Sequence, residues 1–145
     1  MIQNLQNKAV AVTSPGAIVD NAAFTTNTID TKGFAFITII VLLGALDVAL
    51  DAFKLRESNA SDMTGALDVD GADFSTDGTL PTATDDNKLY AIHVNLSGRK
   101  RYLDLTLTGG DGAAGTYVAA VAILSEAAEV PSSVDARGFA QELIV

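Results

Sequence analysis

The sequence predicts an all-β fold, a single antiparallel β-sandwich. Three observations carry this. The apolar segments are short and built largely from Val, Ile, Leu, Thr, Phe and Tyr, the residues that fit a pleated, half-buried surface. Clusters of Gly, Asp, Asn, Ser and Pro separate them, as turns require. Three segments alternate apolar and polar residues in steps of two, the strand period. At 145 residues and 48% hydrophobic, the chain has the length of one domain and enough apolar side chains for a core. Residues 1–145 are therefore read as one sandwich with an extended N-terminal segment and a C-terminal tail from about 126 to 145.

In chain order, Lys8 to Thr13 reads as a first strand stopped by Ser14-Pro15-Gly16, and the stretches around Asp20-Asn21 and Thr25 to Thr28 read as loop. Gly33 then opens the strongest element, Phe34 to Leu43, which carries no charge and several β-branched residues. A strand apolar on both faces expects cover on both, one side by the core and the other by a neighbour. Ala45 to Asp51 reads as a helical turn or an irregular corner. Phe53-Lys54-Leu55-Arg56-Glu57-Ser58 alternates as a half-exposed strand, and Met63 to Val69 reads as another. Asp68 to Asp86 reads as a long acidic loop containing Pro81.

Asn87 to Leu96 places Tyr90, Ile92, Val94 and Leu96 on one face. Arg101 to Thr108 places Leu103, Leu105 and Leu107 inward and Tyr102, Asp104 and Thr106 outward. With Ser97-Gly98 as a tight turn between them, the two are expected to pair as a hairpin. Gly109 to Gly115 is a flexible turn, read as a second hairpin connection. Thr116 to Leu124 is a last buried strand, and after Pro131 the tail ends apolar in Leu143-Ile144-Val145.

The composition narrows the function. There is no Cys and one His, which removes disulfides and thiolate chemistry and leaves little for a zinc site. Net charge is −9 at pH 7, against the basic surface that nucleic acid or an anionic membrane demands; neither is expected as a partner. The first eight residues lack the charged head and apolar stretch of a secretory signal. The apolar run from Phe34 to Leu46 is shorter than the roughly 20 residues of a membrane-spanning helix.

The chemistry-bearing residues point the same way. His93 has no Gly-x-Ser-x-Gly elbow accompanying it and reads as a strand histidine facing solvent or a subunit. Asp68-Val69-Asp70-Gly71-Ala72-Asp73 puts carboxylates around a glycine, but Ala72 and Asp73 break the calcium-loop pattern. The glycines from 109 to 115 lack the Lys-Ser/Thr of a phosphate loop. No catalytic residue, metal site or cofactor is expected. Arg99-Lys100-Arg101 gathers three of the nine Lys and Arg residues beside Ser97-Gly98. With Leu143, Ile144 and Val145 it forms the candidate partner-contact set.

The segments Ile29-Asp30-Thr31-Lys32-Gly33-Phe34, the apolar strand after it, and Phe53-Lys54-Leu55-Arg56-Glu57-Ser58-Asn59 resemble the small head proteins of tailed bacteriophages that include capsid decoration, or cement, proteins. Arg99-Lys100-Arg101-Tyr102-Leu103 and the Ala/Val-rich Val118 to Leu124 complete the resemblance, which spans roughly residues 20 to 125. The acidic stretch from Asp68 to Asp86 departs from the pattern. The resemblance implies a jelly-roll-like sandwich that forms a homo-oligomer, dimer or trimer. It further implies that this oligomer binds the major capsid protein on the outer surface of the virion, after synthesis in the host bacterial cytoplasm. A host-facing or carbohydrate-binding module is the alternative, set back by the absence of Trp and an aromatic content of 6%.

Overall fold

The computed structural model describes residues 6–110 and 112–143. Among these there is no α-helix. Ten strands form two antiparallel sheets: β1 (Lys8–Ala11), β2 (Ile18–Val19), β3 (Ala23–Thr25), β4 (Ile29–Asp30), β5 (Phe34–Leu43), β6 (Leu50–Ser58), β7 (Leu67–Asp73), β8 (Leu89–Asn95), β9 (Tyr102–Gly109) and β10 (Thr116–Ala127). One sheet runs β1-β10-β5-β8 with β2 also on β10. The other runs β3-β9-β6-β7 with β4 also on β9.

The pairing is nested. β6 pairs β7, β5 pairs β8, β3 and β4 pair β9, and β1 pairs β10, all antiparallel. The chain is in effect one long hairpin whose tip is the β6–β7 turn, rolled so that successive pairs fall in alternate sheets. This is a jelly roll. β10 and β5 in one sheet and β9 and β6 in the other are the central strands, each bonded on both sides.

The period of two decides the core. Ile37, Ile39, Val41 and Leu43 of β5 face Phe53 and Leu55 of β6 and Leu103, Leu105 and Leu107 of β9, all essentially inaccessible to water. Phe53 stacks on Phe74 with ring centroids 4.3 Å apart, and Tyr90 meets Phe53 edge-on at 5.8 Å. Those geometries match the quadrupole preference of aromatic pairs.

Three expectations need correction. β8 and β9 present the faces anticipated for them, but they are not a hairpin: β8 bonds to β5 and β9 to β6, in opposite sheets. Alternation records which side of a strand is buried, and both strands bury a side against one core. Residues 96–101 cross the sandwich, through a turn closed by Arg99 N–H on the Leu96 carbonyl at 3.1 Å. For the same reason the glycine-rich segment before β10 crosses between sheets instead of closing a hairpin. The strand expected at Met63 to Val69 lies later, at Leu67–Asp73. Met63 and Gly65 take φ of 61° and 66° to make the turn, and the first part of the acidic loop is an edge strand with Asp68 and Asp70 toward solvent.

Candidate docking surfaces

Three segments of the resemblance, far apart in sequence, meet at one end of the sandwich. The Asp30 carboxylate accepts from Arg101 Nε at 2.8 Å and from its terminal nitrogen at 2.7 Å. The Thr31 hydroxyl donates to the Arg101 carbonyl at 2.6 Å. Glu57 accepts the backbone N–H of Lys100 at 3.1 Å and lies 3.7 Å from Arg99 Nε. The Ser58 hydroxyl donates to the Thr64 carbonyl at 2.8 Å and accepts the Ala60 N–H. Arg101 also lies over the Tyr102 ring, 4.8 Å from its centroid, in cation–π contact. The Arg101 pair is bidentate, the geometry guanidinium prefers, and it holds the Asp30 carboxyl below its ordinary value.

The basic triplet is therefore a clasp. Arg101 ties the start of β9 to β4, and Arg99 with the Lys100 backbone ties the crossover to β6. Sequence reasoning missed the carboxylates that answer these cations, although Asp30 and Glu57 lie in the motif-bearing segments. Lys32 and Lys100, together with Lys8, whose charge also acts on Asp30, are cations at this end for which no side-chain ion pair is seen among the described residues.

The tail is tied to the sheet around Arg137. The Ala9 N–H donates to the Arg137 carbonyl at 2.8 Å, extending the free edge of β1. Arg137 is buried, pairs with Glu142 and donates to the Pro131 carbonyl at 3.1 Å. Of the apolar end, Leu143 is exposed; Ile144 and Val145 lie outside the described residues.

The two outer sheet faces differ in kind. On the β3-β9-β6-β7 face, Lys54 pairs with Asp68 at 2.7 Å and Arg56 grips Asp104 through two bonds of 3.0 and 2.7 Å. On the β1-β10-β5-β8 face, the cross-strand rows are Ala11–Val121–Ile40–Ala91 and Ala119–Leu42–Leu89. Phe36, Thr38, Ile123 and Tyr117 flank these rows. The positions that share the parity of these rows carry no Asp, Glu, Lys or Arg; the charged residues of these strands, Lys8 and the exposed Glu126, fall on the other parity near strand ends. The face's titratable side chains are the exposed Tyr117 and His93, the latter with Nδ1 3.0 Å from the Thr38 hydroxyl. Nothing in the described chain covers this face: Leu89 is 68%, Leu42 42% and Val121 39% exposed. The Ser14-Pro15 turn rims a groove of about 360 Å³ floored by Ile40, Leu42, Leu89 and Val121.

The remaining candidates resolve into scaffold. Asp68 and Asp70 sit on β7, and Asp73 caps its end by accepting from Ser75 N–H and hydroxyl at 2.8 and 2.6 Å. Among the described residues no three His, Asp or Glu side chains converge as metal ligands. In the glycine-rich crossover, the Asp47 carboxylate accepts the Ala114 N–H at 2.8 Å, anchoring the loop to the β5–β6 corner.

No family model and no curated protein matches the chain. Among solved structures, the K3 cleaved adhesin domain of Lys-gingipain from Porphyromonas gingivalis w83 is similar, with a TM-score of 0.40 and 18% identity over 81% of this chain and 73% of that one. A likeness of that size carries no argument about function.

Proposed function

We propose that this chain is a structural subunit that decorates the outer surface of a tailed-phage capsid, acting by contact between neighbouring copies of the major capsid protein and not by catalysis. What supports the reading is the convergence at one end of the jelly roll of the segments that resemble head proteins: Asp30-Thr31-Lys32, Glu57-Ser58 and Arg99-Lys100-Arg101. The clasp among them holds the end loops in one arrangement. A rigid presenting surface loses little entropy on docking, and repeated placement on a shell turns modest single contacts into firm attachment.

Lys32 and Lys100 are two cations of this end placed to answer an acidic patch. Purified protein is expected to co-sediment with phage heads that lack it, less so as salt rises. Replacing both lysines by Glu should weaken binding while leaving the clasp and the fold intact. Failure of the wild type to pellet with heads would refute decoration. Undiminished binding of the double variant at low salt would refute docking through this end.

A further inference from the structure

We propose that the uncharged outer face of the β1-β10-β5-β8 sheet is where two copies of this chain pack face to face in a two-fold dimer. This names a partner within the assembly proposed above and rests on that reading only for its setting, since dimerisation is measured with no capsid present.

The occupant follows from charge, area and relief. Each copy carries −9, so a second copy could approach closely only through a surface that sets no like charges against each other. This sheet face is that surface, and the charged face across the sandwich is not. A basic partner would find no carboxylate here to answer it. The area is adequate for a dimer. β1, β10, β5 and β8 hold 4, 12, 10 and 7 residues, which at about 3.3 Å per residue and about 4.8 Å spacing give roughly 520 Å² per copy and about 1,000 Å² per pair. That reaches the roughly 1,000 Å² a specific interface should clear, and a bare patch of that size lies near the top of what monomers tolerate.

The face also has matching relief. Leu42, Leu89 and Val121 project beside Ala91 and Ala119, and the groove under Pro15 is a socket. Two twisted sheets pack about 10 Å apart with their strands inclined by about 30°, which lets such projections from one copy enter the hollows of the other. Ile40 and Val121, opposed across β5 and β10, lie midway along the face, so the two-fold axis passes near them and each meets its own counterpart.

Sedimentation velocity of the full chain at micromolar concentration should show a dimer. Leu89→Glu, at an exposed edge position that leaves the core untouched, should raise the dissociation constant at least about a hundredfold by burying an unpaired charge, with an unchanged circular dichroism spectrum. The chain has no cysteine, so Ala119→Cys should form an intermolecular disulfide under mild oxidation, whereas Ser61→Cys, on the exposed turn between β6 and β7 of the other sheet, should not. The second readout stands even if Leu89→Glu fails to fold. A wild-type monomer, a trimer, or a dimer insensitive to Leu89→Glu and uncrosslinked by Ala119→Cys would each overturn the proposal. Any of these results would leave the capsid-binding experiment free to succeed or fail on its own.

Discussion

The Arg56–Asp104 pair should respond asymmetrically to truncation, and the asymmetry can be worked from burial. Asp104 points away from the core yet its side chain is 1% exposed, while that of Arg56 is 26% exposed. The guanidinium reaches water; the carboxylate does not, and the two bonds from Arg56 at 3.0 and 2.7 Å are its side-chain hydrogen bonds. Arg56→Ala strands an anion in a dry site and should cost about 3–4 kcal/mol. Asp104→Asn leaves a cation that can turn outward, and should cost about 1–2 kcal/mol. Replacing both together, Arg56→Met with Asp104→Leu, removes the stranded charge as well as the pair and should return to within about 1 kcal/mol of wild type. For a chain of this length about 3 °C accompanies each kcal/mol, so the single Arg56 variant should melt roughly 10 °C lower. Urea melts of all three variants with the wild type supply the comparison. If Arg56→Ala costs less than about 1 kcal/mol, or no more than Asp104→Asn, then Asp104 finds water when its partner is gone and the burial argument fails.

Phe53→Ala should lose about 3–5 kcal/mol, because the ring is fully buried and stacked on Phe74; chemical denaturation measures it. Gly138→Ala should release the docked tail, since φ there is +85° and an added Cβ would overlap the Ala9 carbonyl oxygen; faster amide exchange at Ala9 and proteolysis after Pro131 would report it. Stability should fall as pH drops below about 3.8, the ordinary Asp value. Asp30, Asp73 and Asp85 are held below it by Arg101, by the Ser75 hydroxyl and by Lys88. A depressed carboxylate stabilises the fold above its unfolded value, and that contribution disappears as acid protonates the folded form. A melting temperature flat from pH 5 to pH 2 would contradict this.

Much of the fold was legible because burial writes a period of two into the chain. β5 lies at Phe34–Leu43 as read, since ten residues without charge or turn former leave no other choice. The inward faces of β8 and β9 were equally plain. Strand pairing was not, because Ile92 on β8 and Leu105 on β9 look alike to a pattern that sees only the core. β2, β3 and β4 are two or three residues long, too short for alternation to register. β7 was misplaced because its outward Asp68 and Asp70 look like loop residues when the strand is an edge. The clasp was half visible: the cations stood together in sequence, while Asp30 and Glu57 reach them only through the fold. The bare face could have been found by asking which parity of β5, β8 and β10 lacks charge.

The nested pairing also sets a timetable. β1 pairs with β10, with Lys8 opposite Leu124, so the earliest of the ten described strands to be made bonds to the latest of them. At about 5–20 residues per second, more than a hundred residues of synthesis separate them, and the apolar β1 must wait on the order of ten seconds without its partner. The β6–β7 tip can close early over a short loop, and each later pair encloses a longer one, at a loop-closure cost that grows only logarithmically. Zipping from the middle of the chain outward is therefore the expected order. Folding should be slow for so short a protein, and nascent chains stalled before β10 should be the ones that aggregate or recruit chaperones.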